Sequence, residues 1–124
     1  KKEWRVTSFK HLIKTQTGWE TQEINQEDKN LNWIRMFEIN TKLYYLATSW
    51  DRVYVKEITG KSFTKLDIGD EVKAIYPYIA TQRSGTREKE KYLDILLLTG
   101  ESKEYDKHAN YYLRIPESEF AKLK

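Results

Sequence analysis

The sequence contains no cysteine, and it has only two histidines, two prolines and one methionine among its 124 residues. Without cysteine there can be no disulfide, no thiolate metal site and no cysteine nucleophile. No apolar run approaches the roughly 18 residues that a membrane-spanning helix requires. These absences exclude several classes of enzyme and any scaffold that depends on disulfides.

An initiator methionine is also missing, because the chain opens with Lys1, Lys2 and Glu3. This opening lacks the apolar segment of a signal peptide. We therefore expect a processed or trimmed part of a longer protein. A secreted, periplasmic or surface-anchored lipoprotein that has lost its signal would fit, and so would an artificially truncated chain; an exported location is slightly favoured over a cytoplasmic one. The length suits one hydrophobic core, so residues 1–124 are expected to form a single β domain.

The sequence also has little excess of charge of either sign, since 22 Lys and Arg stand against 19 Asp and Glu and give a net charge of +3. Positive and negative residues are interspersed along most of the chain. This balance favours solubility and is not typical of a site that binds nucleic acid. Aromatic residues make up 14% of the sequence, including nine tyrosines and four tryptophans. This content argues against disorder and exceeds what a small core needs.

Residues typical of β-strands cluster in short runs that are separated by turn formers. All five glycines fall between these runs: Gly18, Gly60, Gly69, Gly85 and Gly100. The pattern predicts an all-β fold, an antiparallel meander of seven to eight strands that forms a small barrel or a sandwich of blade-like hairpins. A β-propeller would require a fragment, because at about 40 residues per blade the chain cannot close a ring of four.

Several elements can be placed individually. Residues 43–50 and 53–58 flank a polar tip and predict a hairpin, while residues 92–99 are the most apolar run and predict a central strand with Leu93, Ile95 and Leu97 facing the core. Pro77 cannot donate a ladder hydrogen bond, which predicts an edge strand or a bulge there. Pro116 is expected to be the first residue of a short C-terminal helix that continues to residue 124.

Candidate catalytic residues are few. Asp106 and His108 could supply half of a metal site, but neither they nor His11 have partners at a diagnostic spacing, and we expect no metal and no cofactor. His11 is interpreted as a packed or partly exposed strand residue. Asp94 is the one charge in an apolar strand and is expected to pair with Lys or Arg. A hydrolase with Asp94 in its cleft is a third alternative, and we expect no enzyme because nucleophile and phosphate-loop motifs are missing.

Nucleic-acid binding is the second alternative. Basic and aromatic residues alternate around Tyr54 and Phe63, and Arg83, Arg87 and two lysines gather in one polar segment, as a single-strand binder would require. Residues 69–74 resemble the start of an oligonucleotide-binding barrel, although the resemblance ends after six residues. Two glutamates within the same polar segment dilute its positive charge.

Our principal expectation is a non-catalytic binding domain for a protein, a glycan or a small apolar ligand. Exposed Trp, Tyr and Arg are the residue types that anchor interfaces. The predicted binding residues lie at a hairpin tip, at the strand around Pro77 and in the polar segment: Trp50, Asp51, Arg52, Tyr76, Tyr78, Arg83 and Arg87. The oligomeric state is left open.

Overall fold

A computed structural model describes residues 8–49, 52–68, 74–79, 92–99 and 109–123, with 74–79 and 99 described by their backbone. These residues contain nine strands, of which one has only two residues, and one short helix. The elements are β1 (Phe9–Lys14), β2 (Trp19–Ile24), β3 (Trp33–Ile39), β4 (Lys42–Ser49), β5 (Arg52–Glu57), β6 (Thr64–Lys65), β7 (Ala74–Ile79), β8 (Tyr92–Thr99), β9 (Ala109–Pro116) and α1 (Glu117–Phe120). The predicted all-β class is confirmed.

The strands form three antiparallel sheets in which spatial neighbours are also neighbours in sequence. β1 pairs with β2, β3 to β6 form a four-stranded sheet, and β7 to β9 form a three-stranded sheet. Within each sheet this order is the predicted meander, because each strand pairs with the next one along the chain, whereas the steps from β2 to β3 and from β6 to β7 lead from one sheet to another. The sheets formed by the described residues are open, so these strands do not close a barrel, and the two larger sheets contribute to one hydrophobic core.

The main hydrophobic core lies between the four-stranded and the three-stranded sheets. Leu46 and Val55 come from the first sheet and meet Ile95 and Leu97 from the second, and all four side chains are fully buried. Because side chains alternate between the two faces of a strand, each sheet contributes every second residue to this core. The short helix adds Phe120 at the margin of the core.

A second core covers the opposite face of the four-stranded sheet. Tyr45, Ala47 and Tyr54 pack there with Ile24 from the β1–β2 hairpin. The four-stranded sheet is therefore buried on both faces, and β4 runs through six consecutive buried residues at its C-terminal end. Burial on both faces accounts for the continuous apolar and aromatic character of this strand, which a strand with one solvated face would not show.

The two features predicted for the three-stranded sheet are confirmed. β8 is its central strand, and Leu93, Ile95 and Leu97 are buried. β7, which contains Pro77, is an edge strand, and its pairing with β8 is irregular between Ala74 and Tyr76. Pro77 is tolerated at this position because an edge strand has one side without ladder bonds.

The prediction for the C-terminal helix needs correction. Pro116 is not the first helical residue; it is the extended residue that caps the helix, and it still pairs with Tyr92 in the sheet. The helix spans only Glu117–Phe120 and is therefore shorter than predicted. This single turn brings Phe120 into the core, and among the residues described after it, up to Leu123, none is fully buried.

The β3–β4 turn leads to the first testable prediction. Asn40 and Thr41 both have positive φ, 49° and 66°, as in the type I′ turn that favours Asn followed by Gly. A β-branched residue is strained in this region by about 1–2 kcal/mol. We expect Thr41→Gly to raise the free energy of unfolding by about 1 kcal/mol in urea denaturation.

Thr41→Ala is the matched control for this turn. It removes the hydrogen bond that Thr41 Oγ1 donates to the Asn40 carbonyl over 2.6 Å, as glycine does, but it retains a Cβ atom. If both variants unfolded at the same urea concentration, the explanation from backbone strain would be wrong.

Candidate functional site

One face of the three-stranded sheet points away from the main core, and we call it the outer tyrosine face. It consists of the residues that alternate with the buried ones on β8 and β9. The strand register pairs them as Tyr92 with Pro116, Asp94 with Arg114, Leu96 with Tyr112 and Leu98 with Asn110. The face is formed by side chains from two adjacent strands, so its residues are direct cross-strand neighbours.

Large side chains are exposed on this face on both sides of the cross-strand pair Asp94 and Arg114. Tyr112 is 63% exposed, Tyr92 is 44% exposed and Leu96, opposite Tyr112, is 43% exposed. Single exposed apolar residues are common on any protein surface, whereas large contiguous apolar patches are typical of interaction surfaces. The outer tyrosine face is therefore a candidate contact surface.

A hydrogen-bonded ion pair lies at the centre of the face. Arg114 donates from Nε to Asp94 Oδ1 over 2.9 Å and from Nη2 to Oδ2 over 3.5 Å, and the Tyr112 hydroxyl donates to Asp94 Oδ1 over 2.7 Å. The guanidinium also lies 4.8 Å from the centre of the Tyr92 ring, within cation–π range. Hydrogen bonds and the cation–π contact thus join four side chains on this face.

These contacts set the charge of the face. Hydrogen bonds from Arg114, and then from Tyr112, lower the pKa of Asp94. The hydrogen bond to Asp94 in turn raises the pKa of Tyr112 and of Arg114. At neutral pH the carboxylate and the guanidinium are both charged and cancel each other, while the phenol stays neutral and acts as a donor.

The pKa of Asp94 provides a second prediction. Since its folded pKa is lowered, the carboxylate's contribution to stability is present above the ordinary value of about 3.9 and is lost as the pH falls through the folded value. We expect Arg114→Gln to move the Asp94 titration upward, towards that ordinary value, in an NMR titration of the side-chain carboxyl. An identical titration curve in the two proteins would show that Arg114 does not hold the carboxylate.

Asp94 is the sequence-predicted residue whose environment is described most fully, and its expected basic partner is Arg114. Tyr76 and Tyr78 lie on β7, where the backbone register places them opposite Leu98 and Leu96. They therefore adjoin the outer tyrosine face in the sheet. Arg52 is the exposed first residue of β5, in a different sheet. Trp50, Asp51, Arg83, Arg87, Asp106 and His108 lie outside the described residues, and their roles stay predictions.

The residues considered above for metal binding or nucleic-acid binding, where the structure describes them, pack against other parts of the fold. His11 Nδ1 lies 2.8 Å from the hydroxyl of Tyr45, which matches its interpretation as a packed residue. Tyr54 and Phe63, the aromatics of the basic segments, are buried. Among the described residues no three His, Asp or Glu side chains are grouped to hold a metal ion, and no helix there could span a membrane.

Sequence reasoning missed Tyr92, Tyr112 and Arg114 as candidate site residues. Alternation along β8 does place Tyr92, Asp94 and Leu96 on one face, opposite the predicted core residues. The register of β9 against β8 brings the other two residues beside Asp94, and one sequence does not reveal that register. In the comparisons with known proteins, no family model, no curated protein and no solved structure matches this chain.

Proposed function

We propose that this chain is a non-catalytic protein-binding domain and that the outer tyrosine face is its contact surface. The observation that carries the proposal is the exposure of Tyr92 on one side of the Asp94–Arg114 pair and of Leu96 with Tyr112 on the other. Tyrosine and arginine are among the residues that most often dominate interface energies. Apolar area and directed polar groups occur together on this face.

The shape and charge of the face favour a protein over a small apolar ligand or a nucleic acid. Small-molecule sites are concave, whereas this surface is one side of a β-sheet. Nucleic-acid binding relies on net positive charge to neutralise phosphates, whereas Asp94 and Arg114 cancel each other here. An extended aromatic surface with balanced charge suits another protein surface.

The fixed side chains reduce the cost of association. Ordering a flexible interface side chain costs about 0.5–1.5 kcal/mol on binding. Arg114 and Tyr112 are already held by Asp94, and Arg114 also lies over Tyr92. A partner that meets this face would therefore immobilise few additional torsions.

Capture from an extract of the source cells tests the proposal with matched variants. Tyr112→Ala is expected to reduce the partner captured at equal bait concentration by about tenfold or more, because truncating a dominant interface residue costs about 2 kcal/mol or more. Trp19→Ala is the control, since Trp19 is 66% exposed but lies on β2, outside the face. Quantitative mass spectrometry measures the amount of each protein that the two variants capture.

Equal capture by the two variants would contradict the proposal. If the Tyr112 and Trp19 variants captured the same proteins in the same amounts as the unaltered chain, the outer tyrosine face would not be the contact surface. Circular dichroism of each variant is the control that tests whether the fold is retained.

A further inference from the structure

We propose that the outer tyrosine face binds a second copy of this chain and forms a two-fold symmetric dimer in which the two faces meet. This inference rests on the proposed function and specifies its partner. It follows from the order of side chains on β8 and β9, which makes the face complementary to itself.

The register defines the geometry of such a dimer. The two-fold axis would lie between the two facing sheets, parallel to the strands and above the line midway between β8 and β9. Rotation about this axis places β8 of one copy over β9 of the other. Each residue then faces the same residue that already pairs with it across the sheet of its own chain. Asp94 therefore meets Arg114 of the second copy, because the two are cross-strand partners. The symmetry repeats this contact, so two acid–base contacts form.

The charges suit this arrangement. An arginine has five donors in a planar fork, and within the chain Arg114 uses Nε and Nη2 on Asp94. Its other N–H groups can reach a second carboxylate. The same symmetry keeps the two guanidinium groups apart across the axis, as it does the two carboxylates.

The apolar side chains match as well. Leu96 meets Tyr112 of the second copy, and Tyr92 meets Pro116, since these are also register pairs. All four residues are exposed in the single chain. Sheets commonly pack face to face with such side chains between them, and a two-fold contact of this kind is closed and stops at two copies.

Charge reversal tests the dimer directly. Asp94→Arg gives each face two cations and Arg114→Asp gives each face two anions, so either variant alone should repel its own copies. We expect each to weaken self-association by at least about tenfold in sedimentation velocity, because apposed like charges cost several kcal/mol. An equimolar mixture of the two variants should associate again, as mixed dimers.

The double variant Asp94→Arg with Arg114→Asp is the control for folding. It restores an acid–base pair within the chain and a self-complementary face, and it should associate as the unaltered protein does. Circular dichroism of the single variants checks that a loss of association does not reflect unfolding.

Two results would overturn the inference. One is an unaltered chain that stays monomeric from about 10 µM to about 1 mM, the concentration of very weak binding; the other is a mixture of reversed variants that fails to associate. If the chain is monomeric but Tyr112→Ala still abolishes capture of another protein, the proposed function stands without the dimer. If capture is unchanged as well, both fail.

Discussion

Leu46→Ala is expected to lower the free energy of unfolding by about 2–5 kcal/mol, the range for truncating a fully buried leucine. Leu46 is 0% exposed and lies in the main core between the two larger sheets. It sits on β4, which is paired on both sides and packed on both faces. The neighbouring strands cannot move easily into the space left behind, so the cavity remains and adds to the cost.

Leu43→Ala on the same strand is the matched control. Leu43 is 44% exposed, and surface substitutions usually change stability by less than about 0.5 kcal/mol. Urea denaturation of both variants measures the difference. If the two substitutions had equal effects, the position of the main core between the sheets would be wrong.

Phe120→Ala is expected to lower the free energy of unfolding by about 3–5 kcal/mol. The Phe120 ring is buried 5.4 Å from the Phe37 ring and 5.5 Å from the Tyr44 ring, measured between ring centres. Its helix is a single turn, and isolated helices of this length are unstable in water. The substitution should therefore remove the helix together with the core contact.

Lys122→Ala is the control for the same segment. Lys122 is exposed and pairs with Glu119 over 2.9 Å, an interaction of the kind that contributes about 0–1 kcal/mol. Thermal denaturation measures the midpoint temperature of unfolding of both variants. If both substitutions lowered that temperature equally, Phe120 would not be the residue that anchors the helix.

Alternation of side chains was sufficient to predict β8. The apolar residues Leu93, Ile95 and Leu97 recur every second position and are all buried, and the cost of leaving such side chains in water fixes which face turns inward. Pro77 was equally informative, because the missing N–H group restricts it to an edge or a bulge. Such local rules depend on a few neighbouring residues.

Contacts between distant segments could not be predicted in the same way. The sequence indicated that Asp94 has a basic partner but did not identify Arg114, because the register of β8 and β9 depends on how the whole sheet packs. The excess of tyrosine was assigned to interfaces, yet Tyr44, Tyr45 and Tyr54 are buried in the two cores. Stacking on both faces of the four-stranded sheet explains this use of tyrosine.

The helix shows how packing overrides a local pattern. Acidic residues followed by lysines suit a helix of two turns, but the fully buried residue, Phe120, lies in the first turn, and Leu123 beyond it is only partly buried against the core. Beyond it the lysines would gain little from helical order. Helix length here is set by burial rather than by charge.

Photo-cross-linking from the outer tyrosine face is the most direct test of the central claim that this face binds a protein. The benzophenone amino acid p-benzoylphenylalanine would replace Tyr112, and in a second protein Trp19, both of which are exposed. We expect irradiation in the source-cell extract to yield an adduct with a second copy or with another protein from the Tyr112 position, and not from Trp19. No adduct from Tyr112, or the same adducts from both positions, would contradict the claim.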